Sequence, residues 1–266
     1  MMKVTLITGA SGGIGEAFAR QLAKEGHHLL LIARSGQKLK ALSEQLSQQH
    51  SITAHYLAID LAQTGSDAII AREVQQKKLQ VDWLINNAGI GSGGDLLEYT
   101  MDEYRHMMHL NMNAIVALTY QFLPEMRARK SGTIINVGSM AGFNAIPYMN
   151  IYAATKGFVM YFTRALWEEN RLYNIHTMLL CPGATETGFF DAAKLSDRKR
   201  TYSSKKLETP EQVVAAAMKG VKKKSMMTIS GFQNKVMKIL VGWIPLKPGL
   251  KMWGNMMRKN LNLEIK

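Results

Sequence analysis

The chain has 266 residues, of which 47% are hydrophobic and 20% charged, the composition of an ordinary globular protein with a sizeable core. Its one cysteine, Cys181, excludes an internal disulfide and fits a reducing compartment such as the cytoplasm. No run of about 18 apolar residues is present, so a membrane-spanning helix is not expected. The first residues lack the apolar segment of a signal peptide.

The formal net charge of +13 is concentrated at one end of the chain. Residues 190–266 contain 17 Lys and Arg against 5 Asp and Glu, a net of +12, whereas residues 1–189 contain 16 against 15. An acidic partner would therefore meet the C-terminal part. Nucleic acid is not expected as that partner, because the lysine clusters at 205–206 and 222–224 lack interleaved aromatic side chains that could stack on bases.

The first chemical motif is a glycine-rich turn between a predicted strand at 3–8 and a predicted helix that carries apolar residues from Ala17 onward. Glycines let the backbone approach a pyrophosphate, and a helix N-terminus offers unpaired N–H groups. This context favours a dinucleotide-binding loop over a plain tight turn. The candidate cofactor residues of the turn are Gly9, Ser11, Gly13, Ile14 and Gly15.

A second strand is predicted at 28–33, nearly continuous in apolar residues as in a parallel sheet covered on both faces. Arg34 and Ser35 follow it, with no acidic residue nearby. An acid here would bind the ribose 2′-hydroxyl of NAD, whereas an arginine can grip the 2′-phosphate of NADP. The alternative is a solvated arginine at a strand end.

The next two predicted strands, at 53–59 and 81–85, also end in polar or small residues. Asp60 and Leu61 follow the first of them, and the carboxylate either reaches an adenine amino group or caps a helix. Asn87, Ala88 and Gly89 follow the second, where they suit backbone contacts at the crevice of a doubly wound sheet.

A tyrosine and a lysine, Tyr152 and Lys156, lie four residues apart on a predicted helix at 151–173 and therefore share one face. A free phenol titrates near pH ~10, and a nearby ammonium favours the phenolate. The pair could thus exchange a proton with a substrate oxygen, although the spacing alone also occurs by chance.

Asn111 is a polar residue in an otherwise apolar helical stretch between residues 101 and 129, which forms one helix or two. A buried amide there must find partners. His106 and His109 have a metal-like spacing, but no third ligand is evident and no metal site is expected.

Predicted strands at 132–137 and 175–180 precede Ser139 and the pair Pro182 and Gly183. The polar connection from 184 to 207 predicts a lid over a site. A helix is expected to begin at Pro210 with Thr209 as its cap, and 226–229 forms a candidate seventh strand.

Together these motifs resemble the short-chain dehydrogenase/reductase family over about residues 3–230. The matching elements are the glycine turn 8–15, the Asn86–Gly89 motif, Asn111, Ser139, Tyr152 with Lys156, and Pro182-Gly183, in the family's order and spacing. The resemblance implies an α/β fold: a single Rossmann-type, doubly wound parallel sheet of about seven strands. Residues 1–233 would form the catalytic domain and 234–266 a basic C-terminal extension.

The resemblance also implies roles for individual residues. Tyr152 would be the general acid and base, with its pKa lowered by Lys156, and Ser139 would hold the substrate oxygen beside it. Asn111 would support a proton relay to Lys156. The cofactor would be NADP(H), with Thr185 and Thr187 beside its carboxamide. Some NADP-dependent members carry a basic residue inside the glycine turn, which this chain lacks, so the NADP prediction depends on Arg34 and Ser35.

The expected substrate is a small-molecule carbonyl or alcohol, since the candidate pocket walls are apolar and carry few charges. These walls are Ile90, Leu96, Phe143, Ile146, Tyr148, Met149, Phe189, Phe190 and Leu195. A homodimer or homotetramer is expected. A non-catalytic NADP(H)-binding regulator is the alternative function.

The basic extension 234–266 carries large apolar side chains among its lysines. On a helix starting near Pro248, one face would hold Leu250, Trp253, Met257 and Leu261. Such a helix can lie on an anionic membrane surface as a peripheral contact. Packing on its own domain, or against a partner subunit, is equally compatible with the pattern.

Overall fold

The computed structural model describes residues 1–189, 207–241 and 243–260. Its seven strands are β1 Met2–Thr8, β2 Leu29–Ala33, β3 Ala54–Ala58, β4 Leu79–Asn86, β5 Gly132–Val137, β6 Ile175–Cys181 and β7 Met227–Ile229. Its α-helices are α1 Gly13–Lys24, α2 Gly36–His50, α3 Ser66–Gln76, α4 Met101–Met108, α5 Ala114–Ala128, α6 Asn150–Arg171, α7 Pro210–Lys222, α8 Phe232–Val241 and α9 Leu246–Asn260.

The strands form one parallel sheet in the order β3-β2-β1-β4-β5-β6-β7. The order reverses between β1 and β4, where Leu6 lies opposite Leu84 and Ile7 opposite Ile85. In open α/β sheets a crevice forms at such a switch point, outside the carboxyl ends of the strands. The Rossmann-type fold expected from the sequence is therefore confirmed.

Helices cover both faces of the sheet, and each face has its own apolar core. One core packs α1, α2 and α7 against the sheet through residues such as Phe18, Leu39 and Val213. The other packs α3 and α5 against it through Ile70 and Leu118. All five residues of β2 are buried, which explains why that strand is apolar throughout rather than alternating.

The helical stretch between 101 and 129 is two α-helices joined by a π-helical turn, His109–Asn113. Thr100 caps the first of them by accepting a hydrogen bond from the N–H of Glu103, whose carboxylate accepts from the N–H of Thr100. The π turn widens the helix by one residue where Asn111 turns inward.

Helix α7 begins as expected, with Thr209 as cap and Pro210 in the first turn. Helix α8 was not anticipated, and the predicted boundary at 233 lies within it. Most of the lid predicted at 184–207 lies outside the described residues. In the parts of the chain that the structure describes, no helix is both long and apolar enough to cross a membrane.

Candidate active site

The candidate site lies at the carboxyl edge of the sheet, where β1, β4, β5 and β6 end beside the N-terminal half of α6. Helix α6 supplies Tyr152 and Lys156, both buried. The loops after β4 and β5 supply Gly89 and Ser139. The catalytic residues predicted from the sequence are thus brought to one edge of the sheet.

The Tyr152 ring lies in an apolar cluster with Tyr104 and Met107, and its centroid is 5.3 Å from that of Phe189. Burial in this cluster raises the pKa of Tyr152 to about 12, while a hydrogen bond with Ser139 acts in the opposite direction. Desolvation is the dominant cause, and the lowering of this pKa by Lys156 stays a prediction.

The Lys156 ammonium donates a hydrogen bond to the carbonyl oxygen of Val137 at 2.9 Å. Burial disfavours its charge and lowers its pKa to about 8, and the nearby Cys181 acts in the opposite direction. A Cβ added at Gly89 would lie 3.4 Å from the ammonium nitrogen and 3.1 Å from Asn111 Oδ1. A glycine at this position therefore lets the backbone pass close to both groups.

Ser139 is the cap of the short 3-10 turn Met140–Phe143, and its hydroxyl oxygen accepts a hydrogen bond from the N–H of Ala141 at 3.1 Å. This bond fixes the serine side chain beside α6. The Ser139–Tyr152 pair therefore offers two hydroxyl groups that can converge on one substrate oxygen.

Asn111 is completely buried, and its side-chain amide bridges two parts of the chain through hydrogen bonds. Its Oδ1 accepts from the N–H of Ile90 at 3.0 Å, and its Nδ2 donates to the carbonyl of Ile90 at 2.9 Å and to Thr155 Oγ1 at 3.0 Å. The amide thus ties the loop after β4 to helix α6, one residue from Lys156.

The glycine turn after β1 packs tightly against the Asn87-Ala88 segment. A Cβ at Gly9 would lie 2.8 Å from Asn87 Nδ2, and a Cβ at Gly15 would overlap the carbonyl oxygen of Gly9. Asn87 Nδ2 donates to the carbonyl of Thr8 at 2.9 Å, and Thr8 Oγ1 accepts from the N–H of Ala88 at 3.0 Å. The glycines are required by this close approach.

Helix α1 begins at Gly13 with no side-chain cap from Gly12. Its first-turn N–H groups, which include those of Ile14 and Gly15, suit the binding of an anion such as a pyrophosphate. Ser11 lies in the same turn. A backbone cradle of this kind fits a dinucleotide.

Arg34 is exposed at the end of β2, and in the described ranges 1–189, 207–241 and 243–260 it makes no hydrogen bond or ion pair. Ser35 follows as the N-cap position of α2 without a side-chain cap bond.

In the loop after β3, the Asp60 carboxylate accepts a hydrogen bond from the N–H of Ala62 at 3.0 Å, while Leu61 is buried. The carboxylate therefore stabilises a turn, and it is not a helix cap because α3 begins only at Ser66.

The segment after β6 closes the other side of the crevice. The carbonyl of Pro182 accepts from the N–H of Met140 at 3.0 Å, and Thr185 Oγ1 donates to the carbonyl of Gly183 at 3.1 Å. A Cβ at Gly13 would lie 3.0 Å from Thr187 Cγ2. The predicted carboxamide-binding segment is therefore adjacent to the glycine turn.

Two residues that position the site were not singled out from the sequence, Thr8 and Thr155. Both are buried hydroxyls in apolar surroundings. Thr155 could have been found from the sequence, because it directly precedes Lys156 on the inward side of α6. Among the predicted pocket walls, Phe189 and Met149 pack in the Tyr152 cluster, while Phe190 and Leu195 lie outside the described residues.

Within the described part of the chain, no three His, Cys, Asp or Glu side chains are grouped as a metal site would require. The Nδ1 atom of His109 lies 3.4 Å from Nδ2 of Asn113.

Comparison with known proteins agrees with the fold. A model of the family described as "short chain dehydrogenase" matches residues 3–197, well over half of the chain. The chain belongs to the short-chain dehydrogenase family. As a member, it is an NAD(P)-dependent oxidoreductase.

Relatives of known function include the very-long-chain 3-oxoacyl-CoA reductase of Macaca fascicularis, 30% identical over 90% of this chain and 73% of its own length. The ketoacyl reductase HetN of Nostoc is 30% identical over 85% of this chain and 78% of its own length. Among solved structures, a short-chain dehydrogenase from Sphingobium yanoikuyae in complex with NADPH has a TM-score of 0.80 and 27% identity, and the match covers 93% and 97% of the two chains.

Proposed function

We propose that the protein interconverts a carbonyl and an alcohol with NADP(H), using Tyr152 as general acid and base. The observation that supports this most directly is the position of the buried Tyr152 in its apolar cluster, one helical turn from the buried Lys156 and beside the short turn that Ser139 caps. The arrangement supplies a proton donor, an oxygen clamp and a cation in one apolar place.

The proton chemistry follows from the environment of each group. A phenol whose pKa is raised to about 12 stays protonated at neutral pH and can donate to the oxygen of a bound ketone. Ser139 would donate a second hydrogen bond to that oxygen as negative charge develops on it. Lys156, with its pKa near 8, can return a proton to the tyrosine at ordinary pH. The nicotinamide cofactor supplies the hydride.

Preference for NADP(H) is proposed from Arg34, an exposed guanidinium without an ion-pair partner in the described ranges, at the strand end where a 2′-phosphate would lie. Ser35 beside it can add a hydrogen bond. The Sphingobium relative in complex with NADPH supports the same choice.

A lipophilic or acyl-type ketone is the proposed substrate class. Ile90, Tyr99, Met149 and Phe189 pack around the apolar cluster that contains Tyr152. Apolar surroundings suit a ketone flanked by hydrocarbon better than a small charged acid. The names of the 3-oxoacyl-CoA and ketoacyl reductases above favour a 3-oxoacyl thioester within this class.

The test is NADPH consumption by the purified protein with 3-oxoacyl thioesters of increasing chain length, bulky ketones and a sugar ketone. We expect turnover of the acyl and bulky ketones that rises with apolar length, and little with the sugar. Tight NADPH binding without turnover of any carbonyl would instead favour the non-catalytic regulator.

A homodimer or homotetramer is also proposed. Large apolar side chains on neighbouring helices α5 and α6 are exposed, namely Val116, Tyr120, Phe158 and Tyr161. Light scattering on the purified chain would give its mass, and a monomer at micromolar concentration would contradict this proposal. A cytoplasmic location stays a prediction.

A further inference from the structure

Helix α8 presents an apolar face to solvent. Phe232, Val236 and Ile239 lie within about 60° of one another around the helix at its 3.6-residue period, and they are 80%, 38% and 62% exposed. Trp243 and Leu246, in the turn to α9 and at its start, are 85% and 71% exposed. These five side chains are called the α8 face below. Exposed apolar surface of this kind marks an interaction site.

The opposite side of α8 is fixed to the domain. Asn234 Nδ2 donates to Glu208 Oε2 at 2.9 Å and to the carbonyl of Ser230 at 2.9 Å. The Lys238 ammonium lies 5.8 Å from the centroid of the Phe143 ring. The helix is thus held by its polar side, so the α8 face points away from the core.

This surface differs from the one that the sequence pattern suggested. On α9, Met257 is only 2% exposed, and a Cβ at Gly254 would lie 3.8 Å from Pro147. The apolar stripe predicted for α9 therefore packs on its own domain where it is described, and Leu261 lies outside the described residues. Among the described residues of 232–260, the most exposed apolar side chains are instead Phe232 of α8, Trp243 in the turn that follows and Leu246 at the start of α9, while Met252 and Met256 of α9 are about half exposed.

The charged residues of α8, α9 and the turn between them are of one sign. Residues 232–260 contain six cations and no carboxylate: Lys235, Lys238, Lys247, Lys251, Arg258 and Lys259. Burying this face against a second copy of the chain would bring two such cationic segments together, which like-charge repulsion opposes. An anionic surface is complementary to it.

We propose that the α8 face binds the surface of a bilayer containing anionic phospholipids. Phe232, Ile239 and Trp243 would enter the boundary between headgroups and acyl chains, where amphipathic aromatic rings are favoured. The exposed Lys235 and Lys247 would lie among the lipid phosphates and strengthen the attraction.

Helix α9, which follows α8 in the chain, packs beside the segment that precedes α6. A cavity of about 420 Å³ lies between α9 and the segment that precedes α6, lined by Pro147, Tyr148, Leu250 and Arg258 among others. Arg258 Nη1 donates to the Tyr148 hydroxyl at 3.3 Å.

The test is co-sedimentation of the full chain with phosphatidylcholine vesicles, with and without phosphatidylglycerol. We expect binding that needs phosphatidylglycerol and falls with added salt. Replacing Phe232→Ser and Ile239→Ser together should weaken partitioning by at least about tenfold, because two large apolar side chains no longer leave water. The matched control, Ile69→Ser with Leu172→Ser, removes exposed apolar groups from α3 and from the end of α6 and should bind like the parent.

Thermal melts of both variants establish that each is folded, and vesicle binding is measured without any turnover. Equal partitioning of the parent and the α8 variant would overturn the proposal. A second result would also overturn it: the parent does not bind vesicles, and light scattering shows that the α8 variant forms a smaller oligomer than the parent. The α8 face would then be a subunit interface.

Discussion

The Lys156 ammonium lies 5.9 Å from the centroid of the Tyr152 ring and donates its hydrogen bond to the carbonyl of Val137. The cation is therefore near the phenol without being bonded to it. Both groups are buried, and desolvation moves their pKa values in opposite directions, Tyr152 up to about 12 and Lys156 down to about 8. The neutral form of each is favoured by the same apolar surroundings.

Carbonyl reduction should therefore weaken as pH rises through about 8, because Lys156 loses its proton there while Tyr152 keeps its own. The measurement is kcat for NADPH-dependent reduction against pH. In Lys156→Arg the cation stays charged, so the alkaline limb should shift upward even though the overall rate falls. A wild-type kcat that does not change through that pH would show that Lys156 does not take part in the proton transfer.

Tyr152→Phe should lower kcat by about 10²- to 10⁴-fold, since it removes the proposed acid but little volume. Cofactor affinity, followed by NADPH fluorescence, should change little. The control is Tyr161→Phe, an exposed tyrosine on the same helix, which should keep the parent rate. Retained turnover in Tyr152→Phe would show that another group supplies the proton.

Arg34→Gln should weaken NADPH binding by about 10- to 150-fold, the range expected for losing a hydrogen bond to a charged group, and leave NADH binding nearly unchanged. Lys3→Gln is the control, because Lys3 lies at the opposite end of the sheet in an exposed ion pair with Asp82. Equal losses for both cofactors would mean that Arg34 does not read the 2′-phosphate.

Asn111→Leu should destabilise the fold by about 2–5 kcal/mol, because the N–H and carbonyl of Ile90 would both lose a buried partner. Thermal or urea unfolding measures this. Asn113→Leu, an exposed site in the same π turn, should cost much less. Similar losses in both variants would mean that the π turn, rather than the bridge to Ile90, sets the cost.

Gly91→Ala should impair the use of bulky ketones, since the added methyl would overlap the Phe189 ring that packs on Tyr152. Overpacking of this kind costs about 1–3 kcal/mol, and we expect it mainly as a higher KM for long acyl substrates. Gly188→Ala is the control because a methyl there meets nothing within 4 Å. An unchanged KM would show that Phe189 does not contribute to substrate binding.

The sheet and the grouping of the site were predictable because strand ends in a parallel sheet fall at one edge. Once Gly9, Asn87 and Ser139 were recognised at the ends of their strands, their proximity followed from the topology. The shared face of Tyr152 and Lys156 was equally predictable, because residues four apart on a helix lie on the same side.

The protonation behaviour of Tyr152 could not be predicted in the same way. Spacing shows that Lys156 is near, but the pKa depends on how fully Phe189, Tyr104 and Met107 exclude water, and those contacts come from distant parts of the chain. Helix α8 was also missed, although its sequence has an amphipathic pattern of its own.

The π turn at His109–Asn113 carries one residue more than an α-helix of the same rise. Deleting a single residue from it would let α4 run into α5 as one regular α-helix, without the widened turn that directs Asn111 inward. Asn111 could then no longer face Ile90 and Thr155 together. Single-codon deletions through this turn should therefore be tolerated far less well than deletions in the exposed residues 63–65 before α3.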